Sequence, residues 1–168
     1  SEFWSGDIPW FSVKDMPSDS DVFVIATEKS ITQTGLDNSA AKLLPYGTTI
    51  ISARGTVGKL ALVGVPMAMN QSCYGIRGVR NLSNYYIYLL MRSIVTGLQK
   101  NTHGTVFDTI TRETFSGVRV IVPPENLICA FHTRIEALFV QLHRNLTESR
   151  TLAELRDALL PKLISGNL

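Results

Sequence analysis

From Glu125 to Leu160 the chain runs without a glycine or a proline, directly behind the pair Pro123-Pro124. A double proline stops what precedes it and pre-sets the backbone for a helix start. Glu125 then puts a carboxylate at the positive end of the helix dipole. Ile128, Ile135, Leu138, Leu142 and Leu146 recur by three, four or seven, and Leu152, Leu155, Leu159 and Leu163 continue the stripe with a phase shift around Thr147 to Thr151. At 1.5 Å per residue this is a rod of roughly 50 Å, far longer than the mean helix of about 11–12 residues. It outgrows a preceding domain of about 120 residues, whose radius of gyration is roughly 14 Å. The stripe Ile135, Leu138, Leu142, Leu146, Leu152, Leu155 and Leu159 is therefore expected to be a dimerisation face, covered by the same helix of a second copy. The alternative is a helix folded back wholly onto its own domain. Pro161 is expected to break or kink the rod, leaving Lys162 to Leu168 as a short tail.

Ahead of Pro123 the pattern changes. Phe23 to Thr27, Thr48 to Ser52, Lys59 to Val63, Tyr74 to Arg77 and Arg119 to Val122 are short β-type runs bounded by turn residues. Between them, Asn84 to about Leu98 has helical spacing in Tyr85, Tyr88, Leu89 and Arg92, with Gly97 near its end. The expected fold class is α+β, with a strand-rich domain over 1–123 and a long helical region, a coiled-coil spacer, over 124–168.

Composition excludes several classes. With 168 residues, 45% hydrophobic and 18% charged, the chain has enough apolar content to fold around a core. Two cysteines, Cys73 and Cys129, make neither a disulfide framework nor a cysteine-rich zinc site. The longest apolar stretch, Leu60 to Met69, contains Gly64 and Pro66 and is too short to span a bilayer. No signal-peptide pattern opens the chain, so a cytoplasmic location without membrane association is expected.

The net charge of +2 is unremarkable, but its distribution is not. Residues 1–37 carry seven acids, whereas Asn38 to Phe107 carries none and holds Lys42, Arg54, Lys59, Arg77, Arg80, Arg92 and Lys100. Once folded, such a stretch presents a basic surface suited to phosphates, unless the N-terminal acids fold back over it. Within it, Arg54-Gly55-Thr56-Val57-Gly58-Lys59-Leu60 fails as a nucleotide-binding P-loop. Position 53 is alanine where glycine is needed, and Leu60 replaces the hydroxyl that would reach magnesium. It reads better as a tight turn between two strands, with Arg54, Thr56 and Lys59 at its tip, suited to a nucleic-acid groove or else simply solvated.

Catalytic constellations are missing. His103 stands alone, and His132 and His143 share a helix face but are too far apart to bind one ion. Cys73 with His103 would be an unsupported nucleophile–base pair, and Cys73 beside Tyr74 reads as core. An Asn/Asp-Pro-Pro-aromatic run, as a nucleotide methyltransferase needs, does not occur, since Val122 and Glu125 flank the prolines. No cofactor and no metal is expected. Two polar clusters have base-reading chemistry: Asn70-Gln71-Ser72, whose carboxamides can bond bidentately to adenine, and Thr102-His103-Gly104-Thr105 behind Lys100 and Asn101. Each can also be an ordinary turn with local side-chain-to-backbone bonds. With Lys14, Arg77 and Lys100 as further cations, the expected DNA-contacting set is Lys14, Arg54, Thr56, Lys59, Asn70, Gln71, Ser72, Arg77, Lys100, Thr102, His103 and Thr105.

Taken together, these segments resemble a known family. Trp4-Ser5-Gly6-Asp7-Ile8-Pro9-Trp10 with Val13-Lys14-Asp15-Met16 looks like the opening of a target recognition domain of the specificity (S) subunit of type I restriction–modification enzymes. The likeness continues through Ile51 to Lys59, Pro66, Asn70-Gln71, the Tyr85–Leu90 helix, the Gly104-Thr105 loop and the Val120 to Pro124 exit. It closes on Leu159-Leu160-Pro161-Lys162-Leu163-Ile164-Ser165-Gly166. The resemblance implies a non-catalytic subunit that binds double-stranded DNA and positions methylation and restriction subunits on a split target. One recognition domain and one helix correspond to a half-length subunit or a fragment of a longer one. A helical adaptor that no longer reads DNA, or an enzyme with an unrecognised site, are the competing readings.

Overall fold

The computed structural model describes residues 2–18, 20–101 and 109–166, excepting the side chains of 99–101. In chain order the elements are β1 (Trp4–Phe11), a 3₁₀ turn (Val13–Asp15), β2 (Phe23–Val24), β3 (Lys29–Ile31), α1 (Gln33–Asp37), β4 (Thr49–Ser52) and β5 (Leu60–Val63). They continue with β6 (Ala68–Met69), β7 (Cys73–Ile76), α2 (Asn84–Asn101), α3 (Arg112–Ser116) and α4 (Glu125–Ser165). The fold is α+β, as the two sequence regimes predict. No helix of the described residues is long and apolar enough to cross a membrane.

Two mixed sheets form the domain. One has the order β3-β1-β6, with β3 antiparallel and β6 parallel to β1. The other has the order β2-β5-β4-β7, with β2 parallel to β5 and both remaining pairs antiparallel. The second sheet is buried on both faces, which is why its strands read as near-continuous apolar runs. Ile50, Ala61 and Val63 pack with Phe11, Met67 and Cys73 between the sheets. Their neighbours Ile51 and Leu62 point the other way. Ile51 joins Ile87, Met91 and Val95 of α2. Leu62 joins Phe23, Tyr85, Tyr88 and Phe139, the last from α4.

The first half of α4 is therefore part of the domain core. Phe139 stacks on Tyr85 and meets Phe23 and Tyr88 edge-on. His143 meets the stacked rings of Phe23 and Tyr46 edge-on, and its Nε2 donates to the Gly64 carbonyl at 2.8 Å. Gly64 is required there: a Cβ would fall 2.6 Å from Ile25 and 3.2 Å from the His143 ring. Two turns before Phe139 on this face, His132 faces Ser83 Oγ at 3.1 Å. At the helix start the Asn81 amide donates to Glu125 at 2.8 Å. The two histidines are thus anchors of helix to domain.

The leucine stripe divides between two faces. Ile128 is buried, and Ile135 and Leu146 pack on the domain core. Leu138, Leu142, Leu152, Leu155 and Leu159 are exposed, Leu138 to 62%. At 100° per residue the two sets lie on faces roughly a quarter turn apart. Beyond Leu146, α4 runs on for nearly twenty residues, roughly 30 Å, without reaching the core clusters.

Two expectations need correction. Arg119–Val122 is not a strand but extended chain leading into α4, with Ile121 86% exposed and its carbonyl accepting from Tyr86 Oη at 2.9 Å. Its β-branched residues satisfy propensity, but no sheet edge is adjacent to pair with them. The helix also does not end at Pro161. It continues to Ser165 and is closed by Gly166 in the left-handed conformation, φ 71°, whose N–H donates to the Leu163 and Lys162 carbonyls. Pro161 lies so close to the C-terminal end that only a short stretch of helix follows the hydrogen bond it forfeits.

Candidate nucleic-acid interface

The turn between β4 and β5 is built around Ser52. This side chain is fully buried; its Oγ accepts the Lys59 N–H at 2.9 Å and donates to the Thr56 carbonyl. The Ser52 backbone closes the turn, accepting from Gly58 N–H at 2.9 Å and donating to the Lys59 carbonyl at 3.0 Å. Gly55 and Gly58 have φ of 77° and 83°, a conformation that other residues adopt only with strain. Arg54, Gly55 and Thr56 are left exposed at the tip.

Two further segments are tied to the base of this hairpin through Ala53. Its N–H donates to the Ser72 carbonyl at 2.8 Å, and its carbonyl accepts from Ile110 N–H at 2.9 Å. The first bond fixes the Asn70–Ser72 turn beside the tip. Asn70 Oδ1 accepts the Ser72 N–H at 3.0 Å, so part of that carboxamide serves the turn itself. Asn70 is also held by its own N–H, donating to the Phe11 carbonyl at 3.0 Å.

The tip separates two clefts. On one side Arg54 and Gly55, with Lys14, Asn70 and Ser72, line an open cleft of about 410 Å³ whose walls include Trp4, Trp10 and Lys29. On the other side Thr56 and Lys59 line a more polar cleft of about 510 Å³ with Ser18, Asp21, Tyr88 and Arg92. Arg92 extends over the Tyr88 ring, 6.0 Å from its centroid. Of the N-terminal acids, Glu28 reaches the first cleft and Asp21 the second. Asp15 is taken up by the fold: it accepts from Ser12 N–H, Ser12 Oγ and Glu28 N–H at 2.6 to 2.8 Å, holding the turn that carries Lys14.

Of the residues singled out from sequence, Lys14, Arg54, Thr56, Lys59, Asn70 and Ser72 are gathered around one tip. Gln71 is exposed but faces a separate cleft with Lys42 and Ala40. Arg77 is not brought to the tip. In the β4–β7 register Ser52 pairs with Cys73 and Thr49 with Ile76, so Arg77 follows the far end of β7. Thr102, His103 and Thr105 lie outside the described residues, as does the Lys100 side chain. Trp4, Trp10, Lys29 and Arg92 join the clefts without having been selected. The one available signal is that both of the chain's tryptophans fall within one short run, Trp4 to Trp10.

Cys73 is buried between the sheets, and burial, with Asp15 as a smaller contributor, pushes its thiol up to about 11. It is a protonated core residue, not an activated nucleophile. Among the described residues no group of three or more metal-ligating side chains is brought together.

The chain is thus a two-sheet domain with a cationic, polar hairpin tip and a long helix that docks on it for about half its length. The chain belongs to the type I restriction modification DNA specificity domain family, whose family model matches residues 2–149. Among similar proteins, the type I restriction enzyme HindI specificity subunit of Haemophilus influenzae is 28% identical over 170 residues, covering 99% of this chain and 37% of the relative. The MjaIX specificity subunit of Methanocaldococcus jannaschii is 25% identical over 124 residues, covering 73% of this chain and 29% of the relative. The chain thus spans about a third of the length of these relatives. A crystal structure of the HsdS subunit from Thermoanaerobacter tengcongensis shares the fold, with a TM-score of 0.55 at 19% identity, over 99% of this chain and 39% of that one. A chain from a structure describing assembly and conformational transition of the type I R-M system has a TM-score of 0.57 at 21% identity, over 98% and 40% respectively.

Proposed function

We propose that the chain is the DNA-reading, non-catalytic part of a type I restriction–modification specificity subunit, working in the cytoplasm. The observation that carries this is the convergence at one hairpin tip. Lys14, Arg54, Lys59, Asn70 and Ser72 come from segments up to 58 positions apart, yet all line clefts on either side of it. Cations there hold phosphates and fix register, while Arg54 and the carboxamide of Asn70 offer donors to base edges. Residues 1–123 serve as the reader and 124–168 as spacer and assembly element. Methylation and restriction subunits, the partners implied by the family, supply all chemistry.

The exposed set Leu138, Leu142, Leu152, Leu155 and Leu159 is the assembly face. A second copy of the chain covers it, forming a two-fold pair. Antiparallel helices would then hold two identical readers apart, favouring an inverted repeat with a fixed gap. A titration of duplex DNA at increasing salt tests the reading. Affinity that falls linearly on a log–log scale supports it. Binding absent at low salt would favour an adaptor that engages only proteins.

A further inference from the structure

We propose that the cleft between Trp4 and Trp10 is a nucleotide subsite: one base unstacked from bound DNA lies against an indole, and its phosphate is held by Lys14 and Lys29. This rests on the DNA-reading function above and adds to it a defined ligand position in which Trp4, Trp10 and Lys29, which that function has not used, join Lys14 and Asn70.

The walls supply both halves of a nucleotide's chemistry. The two indoles meet edge to face, with centroids 5.9 Å apart, and Trp4 is 46% exposed. An indole this open, on a wall shared with three cations, offers an apolar surface that solvent does not satisfy. Every base has a π-face that stacks on such a ring, whatever its sequence. Lys14, Lys29 and Arg54 face a single acid, Glu28, across the cleft, and none of the three has a carboxylate within ion-pair distance among the described residues. The Lys29 ammonium lies 5.8 Å from the Trp4 centroid, at the outer limit of a cation–π contact of about 6 Å. A phosphate is a far better partner for it. At the inner wall the amide NH₂ of Asn70 makes no hydrogen bond among the described residues, and so remains a donor for a base edge.

Size and position select the ligand further. A cleft of about 410 Å³ takes a single nucleotide but not a duplex. Arg54 and Gly55 belong to both the hairpin tip and the cleft wall, so a duplex seated on the tip passes over the cleft mouth. The neighbouring cleft holds no indole, and Asp21 lines it with Lys59 and Arg92, so it lacks the stacking wall that a base needs.

Both tryptophans of the chain line this cleft, and Trp10 also borders the cleft of Lys42 and Gln71, so the part of the emission change that is lost in Trp4→Leu reports on this cleft. The full chain is titrated with a mixed-sequence duplex about three helical turns long. Binding is followed by anisotropy of an end-labelled copy, and cleft occupancy by emission with the unlabelled copy. Emission is expected to fall in step with binding and to saturate at the same concentration. Trp4→Leu should weaken binding about five- to 100-fold, and Trp4→Tyr, which keeps a π-face, should recover most of it. Lys14→Gln with Lys29→Gln, both exposed, should lower the salt slope by about two. Saturated anisotropy with unchanged emission and an unaffected Trp4→Leu variant would overturn the subsite and leave DNA reading intact. No anisotropy change at low salt would overturn DNA reading, and the subsite with it.

Discussion

Phe139 of α4 stacks on Tyr85 of α2 with 4.4 Å between ring centroids and 21° between ring planes. This pair fuses the long helix to the domain. Phe139 is 5% exposed and touches aromatic residues from β2 and α2. Phe139→Ala should lower stability by about 3–5 kcal/mol. Leu152→Ala, on the exposed face, should change it by less than about 0.5 kcal/mol in the monomer. Urea unfolding midpoints compare the two directly.

The hairpin tip should separate affinity from specificity. Lys59→Ala is expected to weaken binding to all DNA sequences alike and to lower the salt slope by about one. Arg54→Ala is expected to relax preference at one base position, worth about 1–3 kcal/mol. Competition assays with single-base variants of a bound sequence distinguish these outcomes.

Much of this was legible in sequence because neighbouring residues fix it. The β4–β5 hairpin follows from two apolar runs around Gly55 and Gly58, and α4 follows from a stretch free of helix breakers. What escaped depends on distant partners. Arg119–Val122 has strand propensity without a strand to pair with. β1 carries no clear strand pattern because Gly6 and Pro9 interrupt its alternation, and its register with β3 shifts between Trp4 and Ile8. The stripe of α4 gives the period of the apolar residues but not which of them the domain covers. Ile135 and Leu146 turn inward, and Leu138 and Leu142 do not. The indole cleft joins Trp4, Lys29, Arg54 and Asn70, a meeting that only the folded sheets produce.

Thiol chemistry should follow burial. Cys129 is exposed on α4, whereas Cys73 is buried with its thiol pushed up to about 11. At neutral pH a chromogenic disulfide reagent should titrate one thiol in the native protein and two after denaturation. Rapid reaction of both in the native state would contradict the packing between the sheets.

The projecting half of α4 should govern assembly. Leu155→Glu with Leu159→Glu places charges on the exposed face beyond the docked segment, so the domain itself should be undisturbed. Sedimentation velocity should show the parent chain as a dimer and the double variant as a monomer. The variant should also bind DNA more weakly, because the second reader loses its effective concentration. A parent chain that stays monomeric at tens of micromolar would remove the pairing.

Selection of bound sequences from a random duplex pool tests the central claim most directly. If the hairpin tip and its clefts read bases, the full chain should enrich one short sequence, arranged as an inverted repeat with a constant gap, and Arg54→Ala should blur one position in each half. A pool that stays random after repeated rounds, with DNA retained only in proportion to low salt, would contradict sequence reading by this chain.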